Sequence, residues 1–251
     1  MRLFVSLSYN GASFSGWQSQ INAPSVQDEV ERALSIAFGE HISVVGAGRT
    51  DAGVNARNYI AHFDVSVCGT FDAQAVLRKC NAILHKNICF NAFYKVEDDA
   101  HARFDAVKRT YRYYVHTAKD PFAEHSLHFR FNPPDIEKMN RAAACLLGEH
   151  DFSSFEKVGS DNPSSICTVH EAGWKRVDSS HIVFTVTANR FLRNMVRAIV
   201  GTLLEVGGTR HDEEWVREVL EAHDRGRAGQ SVPGEALFLE KIEYPYGLIE
   251  L

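Results

Sequence analysis

The run Ile42-Ser43-Val44-Val45-Gly46-Ala47-Gly48-Arg49-Thr50-Asp51-Ala52-Gly53-Val54, followed by Tyr59-Ile60-Ala61-His62-Phe63, sets a loop with three glycines between two apolar stretches that read as strands. Glycine reaches backbone conformations closed to other residues and lets a ligand approach the main chain. The loop is therefore a shelf between two sheet elements, and it carries one carboxylate, Asp51, next to Thr50 and Arg49. Asp and Gly are also ordinary turn formers, so a plain turn is the competing reading.

Outward from the loop, the chain alternates helix and strand signals. Ser25, with Asp28 three residues on, opens a helix in which Val26, Val30, Ala33, Leu34, Ala37 and Phe38 recur at helical spacing, and Gly39 ends it. Further helices are predicted near 72–84, 135–147, 190–206 and 213–222. Strands are predicted near 42–46, 57–67, 88–96, 109–116, 168–176, 181–188 and 236–243, after an opening strand in which Leu3, Val5, Leu7 and Tyr9 alternate with polar residues. The mostly short connections favour an antiparallel or mixed sheet with helices packed on it. The expected class is α+β: two similar α/β subdomains, 1–105 and 106–251, sharing a central mixed, mainly antiparallel sheet with a cleft between them. The stretch 156–166 is the most loop-like in mid-chain.

Composition narrows the function classes. The 251 residues are 45% hydrophobic and 24% charged, ordinary for a globular protein. No run of 18 apolar residues and no charged-then-apolar leader pattern is present, so neither a membrane span nor a signal peptide is expected. The five cysteines are scattered and contain no C-x-x-C, which predicts reduced thiols in a cytoplasmic protein. Twelve histidines form no metal-ligand spacing, so no metal is expected. The net charge of −5 hides basic islands. Arg103, Lys108, Arg109 and Arg112 face one acid, Asp105, and Arg190, Arg193 and Arg197 face none, whereas acids gather in Asp212, Glu213, Glu214, Glu218, Glu221 and Asp224. Basic islands on an acidic body are compatible with a nucleic-acid cleft.

Two further constellations bear on chemistry. In Lys108-Arg109-Thr110-Tyr111-Arg112-Tyr113-Tyr114, strand alternation sends Tyr111 and Tyr113 one way and Arg112 and Tyr114 the other. Arginines interleaved with aromatics suit RNA, and they also suit a sheet face that packs tyrosines and wets arginines. On a helix over 190–206, Arg190, Arg193 and Arg197 share one sector of a mostly apolar circumference. A guanidinium on so apolar a helix requires an anion or snorkels to water, and Asp51 is a candidate partner for Arg197. Trp17, in Gly16-Trp17-Gln18, either stacks on a base or seals the core. No second carboxylate of the kind glycosidases pair shares the Gly-rich loop, and the G-x-x-x-x-G-K-[ST] phosphate loop is absent.

These residues carry a resemblance. Tyr-Asn-Gly at 9–11, Gly-Trp-Gln at 16–18, Ser-Val-Gln at 25–27, Gly-Arg-Thr-Asp-Ala-Gly-Val at 48–54, His-Ala-Arg-Phe at 101–104, Arg-Thr-Tyr-Arg-Tyr at 109–113, Asp-Phe-Ser-Ser-Phe at 151–155 and Met-Val-Arg-Ala-Ile-Val-Gly at 195–201 resemble the TruA family of tRNA pseudouridine synthases over essentially the whole chain. The resemblance implies the pseudouridine synthase fold and isomerisation of uridine at positions 38, 39 and 40 of the tRNA anticodon stem-loop, without cofactor or metal, by a homodimer. It implies Asp51 as nucleophile, Arg197 as its ion-pair partner, and Tyr111 stacked on the target uracil. Arg49, Thr50, Arg103, Arg109 and Arg193 are expected to bind substrate, with Tyr113 also lining the cleft. The alternative is a non-catalytic RNA-binding module using the same basic cleft. Asn55, Asn58-Tyr59 and Ala236 depart from the family pattern, the first three bearing on rim contacts or loop shape.

Overall fold

The computed structural model describes residues 1–66, 71–160, 162–208 and 210–251; Cys68, Asp161 and position 67 of the expected 57–67 strand lie outside the described residues. The chain separates into two compact units, Met1–Val107 with Leu239–Leu251, and Lys108–Phe238.

The first unit runs β1 (Arg2–Tyr9), α1 (Val26–Phe38), β2 (Val45–Gly46), β3 (Asn55–Asp64), α2 (Ala73–Ile83) and β4 (Ile88–Lys95). β1 is flanked antiparallel by β3, pairing Val5 with Ala61, and by β4, pairing Val5 with Phe93; β2 pairs antiparallel with β3. The apolar face of this sheet, with Leu3, Val5, Phe63 and Phe93 at 0–1% exposure, supplies the core. α1 forms where its caps demand: Ser25 Oγ accepts the Asp28 N–H at 3.1 Å, and the chain turns left-handed at Gly39. Val26, Val30, Ala33 and Leu34 are its buried stripe, as their spacing predicts. Asp72 caps α2 in the same way, accepting from Ala75 N–H at 2.9 Å.

The second unit runs β5 (Lys108–His116), β6 (Leu127–His128), α3 (Ile136–Ala143), β7 (Gly148–Asp151), β8 (Ile166–Arg176), β9 (His181–Ala188), α4 (Met195–Gly207) and α5 (Trp215–Ala222). Its sheet order is β5-β9-β8-β7, all antiparallel, with β6 parallel to the end of β5. The closing strands are β10 (Leu237–Glu243) and β11 (Ile249–Glu250), and residues 239–251 belong to the first unit. There β10 neighbours β3, and β11 pairs antiparallel with β4. The class is α+β with mixed, mainly antiparallel pairing, as expected.

The largest departure from the sequence reading is at α4. The predicted helix over 190–206 begins only at Met195, because Asn194 takes a left-handed conformation (φ 68°) and the Met195 N–H closes a turn on the Leu192 carbonyl at 3.2 Å. Arg190 and Arg193 therefore precede the helix and share no helical sector with Arg197. The apolar character of the helix is as expected: eleven of its residues, from Met195 to Gly207, are buried. Short strands β6, β7 and β11 carry too few residues for a period to register and were not predicted.

Candidate active site

In the first unit the Asp51 loop spans the gap between β2 and β3. Its turn is closed by the Val54 N–H donating to the Asp51 carbonyl at 3.2 Å, with Gly53 at φ 78° in the third position, where this turn geometry calls for glycine. The chain after β1 holds the loop from behind. Trp17 N–H donates to the Thr50 carbonyl at 3.2 Å. Gly11 lies so close that a Cβ there would sit 2.2 Å from the Val54 carbonyl oxygen. The Gly11 N–H in turn donates to Asn55 Oδ1 at 2.9 Å. Asn55 is thus buried at 1% exposure and shapes the loop; it is not a rim contact.

Three aromatics complete the shelf. Tyr59 is fully buried, its hydroxyl hydrogen-bonds the Gly48 carbonyl, and its ring stacks on Trp17 at 4.1 Å. Trp17, 2% exposed, seals the core and is not a base platform. Tyr9 Oη shares a buried hydrogen bond of 3.0 Å with Thr50 Oγ1, so the hydroxyl beside Asp51 points inward and fixes the loop. Asp51 is half-buried and Arg49 exposed. Of the three loop glycines, Gly46 backs onto Tyr59 and Trp17 while Gly48 faces open space.

This packing predicts that Gly11→Ala is costly despite its small size. Displacing a backbone carbonyl from a packed contact costs about 1–3 kcal/mol, a fall in thermal midpoint of roughly 3–10 °C for a chain of this length. Activity should fall further than the lost folded fraction, because the carbonyl pushed aside belongs to the turn bearing Asp51. Calorimetry alongside a turnover assay checks both parts.

Arg103, the other predicted site residue of this unit, lies on the turn 101–105. His101 Nδ1 accepts the N–H groups of Arg103 (3.1 Å) and Phe104 (3.2 Å), and His62 Nδ1 accepts that of Ala102 (3.1 Å). Asp105 accepts from the His101 N–H (2.7 Å) and the Tyr246 hydroxyl (2.8 Å), and Tyr244 donates to the Ala102 carbonyl (2.6 Å). Burial, then the nearby Arg2 and His101, pushes the His62 pKa down to about 4. The unfolded chain therefore takes up a proton near pH 6.5 that the folded chain refuses. Stability present above that pH is lost as pH falls toward 4, by on the order of 3 kcal/mol. Denaturant midpoints should drop across this window in the wild type and drop less in His62→Gln, which keeps an acceptor without a titrating ring; equal slopes would refute the assignment.

In the second unit, β5 delivers Tyr111 opposite Val186 of β9, half-buried, its ring edge-on to Phe191 at 5.1 Å. Tyr113, two residues on, is fully buried and donates its hydroxyl to the Pro233 carbonyl at 3.0 Å. It belongs to the core and lines no cleft. Burial raises its pKa well above the usual tyrosine range. The Arg109 guanidinium donates to the Asn189 carbonyl at 2.8 Å, while Asn189 Oδ1 accepts from the N–H groups of Thr168 (2.9 Å) and Arg190 (2.7 Å). This knot sets the course of the 189–194 segment that carries Phe191 and exposed Arg193.

Arg197, on the first turn of α4, is half-buried and tethered: its Nε donates to the Val232 carbonyl at 2.7 Å, and the Val232 N–H returns to the Arg197 carbonyl at 3.2 Å. The segment 229–233 is lashed along the helix. Gly229 N–H donates to Thr202 Oγ1 (3.0 Å), and Ser231 Oγ accepts from Asn194 (2.7 Å) and Arg225 (2.8 Å). The second unit therefore gathers Arg109, Tyr111, Phe191 and Asn189 in one place and holds Arg197 by a strap the sequence reading missed. Gly229 and the Pro233-Gly234 pair were its only signal. An open hollow of about 280 Å³, lined by Ser153, Lys157, His223 and Arg225 among others, holds none of the predicted site residues. Among the described residues no cluster of three or more His, Cys, Asp or Glu side chains could hold a metal ion, and no helix is long and apolar enough to cross a membrane.

The family model for tRNA pseudouridine synthase matches residues 142–245. Full-length relatives extend the match across the Asp51 loop. The chain is 46% identical over 248 residues to tRNA pseudouridine synthase A of Porphyromonas gingivalis, covering 98% of both chains. It is 48% identical over 245 residues to the Parabacteroides distasonis protein of the same name (97% of this chain, 96% of the relative), and 38% identical over 255 residues to that of Shewanella amazonensis (100% and 97%). The chain belongs to the tRNA pseudouridine synthase family, an isomerase family of α+β fold, and within it to the tRNA pseudouridine synthase A group.

Proposed function

We propose that the protein isomerises uridine to pseudouridine at positions 38, 39 and 40 in the anticodon stem-loop of tRNA, as a cytoplasmic homodimer. The observation that carries the reading is the Gly48–Val54 loop: a carboxylate on a turn buttressed by Tyr9, Gly11, Asn55 and Tyr59, in a chain nearly half identical to tRNA pseudouridine synthases A.

The reaction breaks the N1–C1′ bond, turns the uracil, and rejoins it through C5, with the C5 proton lost and a proton gained at N1. A stacked base cannot do this, so the uridine flips out of its stack. Asp51 serves as the nucleophile. Attack at C1′, assistance to a glycal and attack at C6 all begin from the same carboxylate. Arg197 pairs with it, the guanidinium aimed by the Val232 carbonyl. Tyr111 stacks on the detached uracil, with Phe191 fixing its ring. Arg49, Arg103, Arg109 and Arg193 bind the RNA backbone, and Thr50 acts with them by holding the loop.

The test is carbodiimide mapping of an unmodified tRNA transcript after incubation with wild type. New pseudouridine at 38–40 supports the reading, and pseudouridine elsewhere overturns the site assignment. Binding without modification would identify a silent RNA-binding module, and free uracil a nucleoside hydrolase.

A further inference from the structure

Phe104 is 75% exposed, yet the turn beneath it is among the most heavily bonded in the first unit. The N–H groups of His101, Ala102, Arg103, Phe104 and Asp105 all have partners: Asp105 Oδ2, His62 Nδ1, His101 Nδ1 twice, and the His101 carbonyl. Both histidines accept at Nδ1, so both are neutral there and carry their proton on Nε2. The imidazole of His101 lies under the Phe104 ring at 4.2 Å and 32°, and His62 meets His101 edge-on at 4.6 Å. Tyr244 and Tyr246 pin the turn from the C-terminal segment.

Lone exposed apolar side chains are common and need no explanation. Phe122, 90% exposed and with its N–H held by Asp120, is such a case. Phe104 differs in having its ring against the tilted His101 imidazole and its backbone held by hydrogen bonds. Its neighbours are exposed Arg103, whose guanidinium lies over the ring at 5.7 Å from its centre, and Asp105, whose carboxylate is engaged. A protein partner wants a contiguous apolar patch. A largely exposed, rigid ring with an exposed arginine over it matches one unstacked base and the phosphate next to it, the guanidinium giving up the ring for the phosphate. Preorganisation means that little rotamer entropy is lost on contact.

We infer that Phe104 is a stacking platform for an unpaired base of the RNA substrate, with Arg103 taking the adjoining phosphate. The inference rests on the tRNA reading above but on no catalytic assignment. The experiment is titration of an unmodified tRNA transcript at one salt concentration, with thermal midpoint and sedimentation recorded for every protein. Phe104→Ala should weaken binding about 5- to 150-fold, the range for loss of one base–aromatic stack, with an unchanged midpoint. Phe104→Trp should bind within about threefold of wild type, while Phe104→Leu, apolar but without a π face, should behave like Phe104→Ala. Wild-type binding by Phe104→Ala, rescue by leucine as good as by tryptophan, or a change in the sedimentation of the RNA-free protein would each overturn the inference. The last would assign the ring to a contact between copies. Modification by the wild type is scored on the same transcript, so a failure of the enzymatic reading appears separately from a failure of the stack.

Discussion

Asp51→Asn is expected to abolish pseudouridine formation while leaving the protein folded and able to bind tRNA. An amide keeps the shape of the carboxylate and removes its charge and its nucleophilic oxygen. Loss of a nucleophile acting within a catalytic group costs about four orders of magnitude or more in turnover. The turn itself is closed through main-chain atoms, the Val54 N–H to the Asp51 carbonyl, and backed by the Tyr9–Thr50 and Gly11–Asn55 hydrogen bonds. None of these uses the Asp51 carboxylate, so the loop keeps its closure and the variant should remain folded by circular dichroism. Tritium release from C5-labelled tRNA measures turnover, and filter binding measures affinity. Release at the wild-type rate would remove Asp51 from the role of nucleophile. A comparable collapse of affinity would make it a binding residue.

The contrast between Asp51 and its surroundings explains what could be read in advance. A period, a cap or a turn is local chemistry, so Ser25 and Gly39 bounded α1 correctly and the alternation in β1 was visible from Leu3 to Tyr9. The strand–loop–strand frame around Asp51 was equally legible, since glycines and apolar runs are adjacent in sequence. What sets the loop's shape is not adjacent. Tyr9 reaches Thr50 across 41 residues, Gly11 reaches Asn55 across 44, and burial decides whether Trp17 or Tyr113 is a platform or a core residue. A side chain's type carries no record of its exposure, and both aromatics turned out to be core. The start of α4 was missed for a related reason. Arg190 to Asn194 fit a helical period, but a left-handed Asn194 ends the approach, and no residue-type rule makes asparagine choose that conformation there. The strap over α4 left no signal beyond Gly229 and Pro233-Gly234, because it joins residues 229–233 to 194–202 through main-chain groups and the Thr202 and Ser231 hydroxyls.

That strap decides the second large expectation. Arg197→Lys keeps a positive charge and is still expected to lower turnover by roughly 10²- to 10³-fold, because what the structure builds is an orientation. The guanidinium is a planar fork with donors in fixed directions, and here one of them, Nε, is spent on the Val232 carbonyl at 2.7 Å. With Nε fixed, the two terminal amines have one available plane. Lysine has no second donor along its stem, so an ammonium that bonds Val232 cannot also project beyond it, and one that projects leaves a part-buried carbonyl without its partner. Such an orphan costs about 1–3 kcal/mol, which predicts a thermal midpoint roughly 3–10 °C lower. Arg197→Ala should lose the same carbonyl partner and all of the charge, so the two variants should be alike in stability and differ in turnover, with alanine slower. A lysine variant as fast as wild type would mean that charge alone matters and that the Val232 tether serves only packing. Ser231→Ala separates the two meanings, since the Ser231 hydroxyl joins Asn194 and Arg225 to the strap. If the strap aims Arg197, Ser231→Ala lowers kcat in the wild-type background, leaves KM for tRNA unchanged, and has no further effect once Arg197 is alanine.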